Sequence, residues 1–518
     1  MLGLSLTGYL LPWDQKGYWA TKVATNIAAI TPLVGPELQK LIIGGADYGH
    51  HTLTRFFALH AGVLPGAIIV LLVGHIYLFR RHGLTAKEPR LRPDAAFWPD
   101  QVLKDAVACL AVMAAVLFLV IRARGAELGA PADPAEAFDA RPEWYFLFLF
   151  QFLKYFPGGT EVLGAIVIPS LLLLIVFAMP FLGKWRLGHR FNLGLLWALI
   201  AGVGMLTWLA MAEDRRNPDY VAGLKSAEFE AHRVKELAQS PTGISQLGAV
   251  NLLRTDPLTQ GPKLFAKNCA SCHRYEGQDG LGRVPTESYT VQTNDTLGAI
   301  ARFYSMSEEQ LLSLNRLKSG VLTNQQRLAV HALQTASDLK GFASRSWLSG
   351  LLAPAHIAAS NYFGGTKFKD GKMAKFVNKD VAGFAAQEKE QLQKVLMALS
   401  SEAQLKSQRE ADQRDTAAIA EGRTLLANDT MRCTECHQFH KPSEDTSGPD
   451  LTGYGSREWL IGIITNPKHE RFYGKRNDRM PAFAADQILD AASLGLLADW
   501  LRGEWYESVE RRVDNHKN

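Results

Sequence analysis

The chain has 518 residues, a formal net charge of +5 and 47% hydrophobic residues. So small a charge over so long a chain argues against a nucleic-acid partner, and the length argues against a single small domain. The average conceals two unlike halves: residues 1–212 are mostly apolar runs, and residues 213–518 are polar and mixed.

Met1–Leu11 is apolar but too short to span a bilayer, which takes about 20 residues, and reads as the tail of a helix whose beginning is absent. Pro12–Gln15 (PWDQ) opens an amphipathic stretch to Ala46. Leu53–Arg81 is apolar for about one bilayer thickness and is interrupted by His60 and His75. At ~100° per residue they fall roughly 60° apart on a helix, and at ~1.5 Å per residue they stand roughly 22 Å apart along it. Ionisable side chains at membrane depth are costly and point to function. Two imidazoles so placed suit two stacked haems, and the alternative is a pair of histidines satisfied by helix–helix hydrogen bonds.

Further spans are predicted at Val102–Ile121, Val162–Leu182 and Asn192–Ala212, and Gly202 and Gly204 in the last allow close helix contact. The loop Arg80–Asp94 holds five Lys/Arg and Lys184–Arg190 holds three, so both are placed on the cytoplasmic side. Arg122 and Arg124 run against that rule. The last span then exits outward, and residues 213–518 lie outside the cytoplasm. Between the spans stands Arg141–Tyr145 (RPEWY). A carboxylate such as Glu143, in a partly apolar site at the rim, can accept a proton from a phenol-like substrate. The plainer reading is a helix N-terminal Glu favoured by the dipole.

Residues 213–260 read as a polar connector, with a charged helix over Ser226–Ser240 on the membrane surface. Five cysteines follow a simple division. Cys109 lies in an apolar helix and reads as packing. The other four make two CxxCH units, Cys269-Cys272-His273 and Cys433-Cys436-His437, the attachment pattern of c-type haem with His as axial ligand. Such haems are attached outside the cytoplasm, which agrees with the charge argument. The segments around them repeat: Asp338–Leu352 and Asp450–Ile464 align without a gap, and helical runs at Glu388–Leu399 and Ala485–Leu501 close the repeats. Met373 and Met480 occupy equivalent places and are the candidate sixth ligands; a thioether opposite His raises the potential. Cys269 and Asp338 are 69 residues apart, Cys433 and Asp450 only 17, so the first repeat carries 52 additional residues.

Three resemblances gather these observations. TGYLLPWDQKGYWATKVATNIAAITPLVG, LTRFFALH…GH and PEWYFLFLFQFLKYFP resemble cytochrome b of the quinol–cytochrome c reductase (cytochrome bc) family. Both repeats resemble class I c-type cytochromes. Ser288–Leu333, with SYTVQTNDTLGAIARFY and SEEQLLSLN, resembles a LysM module. The fold implied is mainly α: a transmembrane cytochrome b-like part, then two small all-α cytochrome c domains with an inserted α+β LysM-like module. The division is 1–100 (partial haem-binding domain), 101–212 (C-terminal cytochrome b domain), 213–260 (linker), 261–400 (first cytochrome c domain, interrupted by 288–333) and 401–518 (second).

By resemblance, His60 binds the outer b haem and His75 the inner one, with Arg80 facing the inner haem propionates or the inner quinone site. Pro142, Glu143, Trp144 and Tyr145 form the quinol-oxidation motif, packed near Gly8, Tyr9, Pro12 and Trp13. The family's preceding helix, with the opposite axial histidines, is absent, so either the sequence is a fragment or another polypeptide supplies the first helices. The resemblance implies a subunit of a quinol–cytochrome c oxidoreductase, inactive alone, with two b and two c haems and quinol as substrate. Its expected partners are a Rieske-type iron–sulfur protein, a soluble cytochrome c or terminal oxidase, and a second copy of the complex. Its expected place is the bacterial inner membrane with the cytochrome c domains periplasmic. LysM relatives bind N-acetylglucosamine-containing glycans such as peptidoglycan, and Asn294, Asp295, Thr296 and Asn315 lie at the family positions. A different reading is a membrane-anchored dihaem carrier without quinol chemistry; another is a tether to the cell wall.

Overall fold

In a computed structural model, the described residues are 2–83, 96–136, 138–427, 431–441 and 446–508. They form two compact units, residues 1–250 and 251–518. Most of the basic loop 80–94 lies outside the described residues.

The first unit is helical. Helix α1 (Leu2–Tyr9) ends at a turn where Trp13 takes a left-handed conformation, φ 53°. Asp14 then caps α2 (Gln15–Ala29), its carboxylate accepting from the Gly17 N–H at 2.8 Å. A proline in the first turn and Gly44 at φ 88° bound α3 (Gly35–Ile43). Four long apolar helices follow: α4 (His50–His82), α5 (Phe97–Ala123), α7 (Gly158–Leu182) and α8 (Arg186–Arg216), with the short α6 (Leu147–Leu153) between α5 and α7. Each predicted span lies within one of the long helices. At most 6% of each apolar window is buried, so these surfaces require lipid or other helices around them.

Prolines shape three of these helices. Wide π turns at Leu59–Val63 and Leu163–Val167 lie just ahead of Pro65 and Pro169, and one at Phe97–Gln101 contains Pro99. Proline lacks the N–H that would continue the ladder and crowds the carbonyl four residues back, and a wide turn absorbs the mismatch. In α4 that turn takes up about one residue's rotation, ~100°. The offset between His60 and His75 changes from ~60° on one side to ~40° on the other, and the two stay on one flank.

The connector is more helical than its composition implies. Helix α9 (Pro218–Ala238) is capped by Asn217, whose side chain accepts from the Asp219 and Tyr220 N–H groups. It covers most of the charged helix expected over Ser226–Ser240 and buries Glu230, Arg233, Val234 and Leu237. Arg233 is buried because Glu236 pairs with it at 2.8 Å.

In the second unit, α10 (Pro257–Asn268) leads into the first CxxCH. The insertion follows as β1 (Thr286–Thr290), α11 (Leu297–Phe303), α12 (Glu308–Leu314) and β2 (Arg327–His331), the strands antiparallel with Thr286 opposite His331. It has its own core, including Val291, Ile300, Leu311, Leu328 and Val330. Then come α13 (Arg345–Leu351), α14 (Lys372–Lys379), α15 (Ala386–Glu402), α16 (Thr416–Ala427), the second CxxCH, α17 (Arg457–Thr465) and α18 (Ala491–Arg502). The aligned segments fold alike. Ser344 and Ser456 cap α13 and α17, and Trp347 and Trp459 donate to the carbonyls of Asp338 and Asp450 at 3.0 and 2.9 Å. The last closing helix begins at Ala491, six residues later than the run Ala485–Leu501 implies. Asp490 caps it there, and the preceding residues turn back so that the Ile488 N–H reaches the Phe483 carbonyl.

Both repeats contribute to a single core. Phe342 and Tyr454, at equivalent positions, meet at 5.3 Å. The helix pairing crosses between the repeats: α10 packs on α18, and α15 packs on α16.

Candidate functional site

In the membrane unit, the turn after α1 folds against a distant segment. The Gln15 N–H donates to the Ala130 carbonyl at 2.9 Å and the Ala132 N–H to the Trp13 carbonyl at 3.0 Å. Asp14 also accepts from the Gly129 N–H at 3.2 Å. This pairing fixes α1 beside α4. Thr7, buried, donates its hydroxyl to the Gly3 carbonyl at 2.8 Å and lies 3.1 Å from His60 Nδ1. With its proton committed, the hydroxyl accepts from Nδ1–H and leaves Nε2 as the lone-pair nitrogen. Gly8 makes the approach possible, since a Cβ there would stand 2.6 Å from the His60 ring. An imidazole oriented through its second nitrogen suits metal ligation. His75 and Arg80 are exposed on the same helix.

Glu143 is half-buried and precedes a single 3-10 turn, Trp144–Phe146. The buried Tyr9 hydroxyl has no hydrogen-bond partner among the described residues, and Glu143 is the carboxylate that bears on it most strongly, ahead of Asp14. Tyr145 packs edge-on to Trp144 at 5.6 Å, and Trp144 is 69% exposed. Pro142 sits in the half-buried turn between Arg141 and Glu143. Arg141 anchors that turn: it reaches Asp214 at 3.1 Å and lies over the rings of Phe150 and Tyr220. So Arg141 ties the PEWY turn to the base of α8, and Tyr9 at the end of α1 lies near Glu143.

In the second unit both CxxCH motifs have the same local build. The His273 N–H bonds back to the Cys269 carbonyl at 2.8 Å, and that of His437 to Cys433 at 3.0 Å. His273 Nδ1 lies 2.8 Å from the Ser337 carbonyl and His437 Nδ1 lies 2.7 Å from that of Pro449. A carbonyl can only accept, so Nδ1 carries the hydrogen and Nε2 is left for a metal. Burial holds both imidazoles below the usual histidine range, in the neutral form that ligates. Gly448 lies against His437, where a Cβ would stand 2.4 Å from the ring. Burial also pushes the Cys269 thiol up to about 12 and that of Cys433 up to about 11. No group of three or more His, Cys, Asp or Glu converges as a bare-ion site among the described residues. The residues therefore fit a covalently held haem at each motif.

The two candidate methionines differ. Met373 lies within α14, whereas Met480 lies in an irregular stretch and its carbonyl accepts from Asn477 Nδ2 at 2.9 Å. Both pack partly buried against the common core. Sequence reasoning missed the orienting groups Thr7, Ser337 and Pro449. For the last two, a signal was present: each immediately precedes one of the aligned Asp-Leu segments. The four LysM candidates are committed within their own fold. Asp295 accepts from the Tyr289 hydroxyl at 2.7 Å, Thr296 caps α11, Asn315 ties α12 to β2, and Asn294 takes φ 76° in the turn.

Comparison with known proteins agrees with this geometry. Residues 1–131 match the family described as Cytochrome b(N-terminal)/b6/petB, and residues 131–227 match Cytochrome b(C-terminal)/b6/petD. Together the two matches cover residues 1–227 with cytochrome b family models. Residues 289–330 match the LysM domain, as their βααβ fold requires. A relative, the "Cytochrome bc complex cytochrome b subunit" of Chlorobaculum thiosulfatiphilum, is 33% identical over 190 residues, which cover 35% of this chain and 44% of the relative. The chain thus spans less than half the length of that relative. A chain of the solved "Hyperthermophilic respiratory Complex III" shares 23% identity, with 45% of this chain and 63% of that chain covered at a TM-score of 0.34. Within the cytochrome b region, the junction of the two family matches at residue 131 falls where Asp14 pairs with Pro131, so its two domains are stitched together beside the PEWY turn.

Proposed function

We propose that the chain is a redox subunit of a bc-type respiratory complex that oxidises membrane quinol and delivers electrons to a periplasmic acceptor, coupled to proton translocation. Haem, when bound, supplies reversible one-electron storage at four places: two b-type sites at His60 and His75, and two c-type sites at 269–273 and 433–437. The chain's own residues do the rest. Pro142, Trp144 and Tyr145 shape a half-buried rim in which Glu143 accepts a proton from the quinol hydroxyl. The unpartnered Tyr9 hydroxyl beside it is a ready donor to the same substrate oxygen or to Glu143. Thr7 and Gly8 hold the His60 ring, while Ser337 and Pro449 hold those of His273 and His437. Met373 and Met480 are the candidate opposing ligands, and Arg80 the candidate partner of the inner haem propionates or quinone.

The observation that carries this reading is the His60 ring locked between Thr7 and Gly8. A helix that merely anchors two cytochrome c domains needs no oriented imidazole at membrane depth, nor a carboxylate at the rim. The opposite b-haem ligands come from a further cytochrome b helix, on this or another polypeptide. The iron–sulfur centre comes from a Rieske-type partner, because four of the five cysteines are committed to the CxxCH motifs and the fifth, Cys109, lies exposed on α5.

A redox difference spectrum with pyridine-haemochrome quantification, on the complex purified from native membranes, tests the proposal. The expected result is two b haems for every two c haems. Two c haems with no b haem would leave a membrane-anchored dihaem carrier and remove the role given to Glu143.

A further inference from the structure

The two repeats are not closed on themselves. The opening helix of the first, α10, packs on the closing helix of the second, α18, and the opening helix of the second, α16, packs on the closing helix of the first, α15. Neither α10 with α15 nor α16 with α18 makes more than marginal contact. The fit is tight at both crossings. A Cβ on Gly261 of α10 would stand 2.2 Å from Trp500 Cβ, and one on Gly422 of α16 would stand 1.9 Å from the Lys394 carbonyl of α15. Glycine at each place lets two helices approach closely.

The exchanged helices reach the haem-attachment loops. Trp500 stacks on Tyr275 at 4.3 Å and meets Phe265 at 5.4 Å. Tyr275 is two residues beyond His273, and Phe265 accepts the Cys269 N–H through its carbonyl. At the other site, Glu402 of α15, itself buried, accepts from the Gly453 N–H at 3.0 Å and lies 3.2 Å from His440 Nε2. His440 is three residues beyond His437. Asp380 of the first repeat lies 3.5 Å from Arg432, which immediately precedes Cys433. Arg502 of α18 is buried and donates to the carbonyls of Ala403, just after α15, and of Gly455, just before α17.

We propose that each CxxCH site is completed by the closing helix of the other repeat: Trp500 is a positioning residue for the first attachment loop, and Glu402 for the second. The consequence rests on the reading that both motifs carry haem: the pair is one obligate two-haem unit, and a substitution in either closing helix at this crossing is felt first at the haem of the other repeat. Neither repeat then has a complete site without the other.

Hydrogen exchange followed by mass spectrometry on the full chain resolves the two loops. Trp500→Ala speeds amide exchange over residues 269–275 by about tenfold or more and leaves residues 433–440 nearly unchanged. Glu402→Ala does the reverse. If Trp500→Ala does not fold, Trp500→Phe, which keeps an aromatic ring on Phe265, shows the same pattern in smaller degree. Loosening of residues 433–440 alone by the Trp500 variants, or of both loops alike, would overturn the proposal. A second measurement needs no variant. Lys394 Nζ and Glu421 Oε1 are 2.9 Å apart across α15 and α16, so a carbodiimide joins them in the wild-type chain; the absence of that link would also overturn the crossed pairing. Haemochrome analysis of the same samples keeps the two readings apart. A chain without c haem that still shows the exchange pattern retains the crossed fold and loses the haem assignment.

Discussion

The membrane unit and the two CxxCH repeats hold their key histidines by different groups. His273 and His437 are partly buried, each with its ring set by a backbone carbonyl, beside a core to which both repeats contribute. His60 is only half-enclosed by α1, and His75 faces outward from a helix whose apolar surface is almost wholly uncovered. The difference shows which sites the chain finishes by itself. The repeats supply their own burial and orienting groups, while the membrane unit supplies one side of each site and leaves the other to lipid, substrate or another helix.

The largest effect belongs to the rim. Glu143→Gln is isosteric and removes the proposed proton acceptor. We expect quinol oxidation by the purified complex to fall about 10²-fold or more, with b and c haem content unchanged. A variant that kept its rate would return Glu143 to a helix-start role and make the membrane unit look more like an anchor.

A matched pair of substitutions sharpens the comparison next. Gly8→Val crowds the His60 ring, and Gly448→Val crowds that of His437. Overpacking of this kind costs roughly 1–3 kcal/mol. Gly8→Val is expected to diminish the b-haem absorbance of the complex and spare the c signal. Gly448→Val is expected to perturb the ligand-field spectrum of one c haem and spare the b signal. Because the repeats share a core, Gly448→Val also lowers the melting temperature of the whole second unit, whereas Gly8→Val leaves it unchanged. A melt in which only half of the second unit responds would contradict the shared core.

Periodicity and motif spacing made a good part of this legible. The four spans show as apolar length, the CxxCH motifs as fixed spacing, and the LysM domain as a resemblance carried by the additional residues between the aligned segments. What escaped has physical reasons. The π turns at Pro65 and Pro169 leave composition unchanged and alter only the phase of the helix. Thr7 resembles any threonine in an apolar helix until α1 is seen against α4. The delayed start of α18 depends on one cap, Asp490. The crossed pairing of α10 with α18 lay beyond sequence reasoning altogether, because two homologous repeats present interchangeable helix faces. Gly261 and Gly422 each promise a close helix contact without saying with which partner.

The smallest effect on redox chemistry is expected from the LysM domain, and it completes the comparison with a region that should matter to neither set of haems. Its strands bring its two ends together, with the Ala332 N–H donating to the Pro285 carbonyl at 2.8 Å, and its apolar core is separate from that of the repeats. A loop whose ends already meet can be shortened at little cost in closure entropy. Removal of residues 288–333 with a short linker should therefore leave haem content and quinol oxidation within about twofold of the full chain. The contact to watch is Arg274, which is buried after His273 and donates to the Ala332 carbonyl at 2.8 Å; keeping residues 332 and 333 in a second deletion preserves it. Sedimentation with purified peptidoglycan then decides what the domain is for. Loss of binding on deletion makes it a tether between a respiratory complex and the cell wall. Equal retention of the full and shortened chains makes it a spacer, since Asp295, Thr296 and Asn315 already have partners within the domain and hold its fold whether or not a glycan binds.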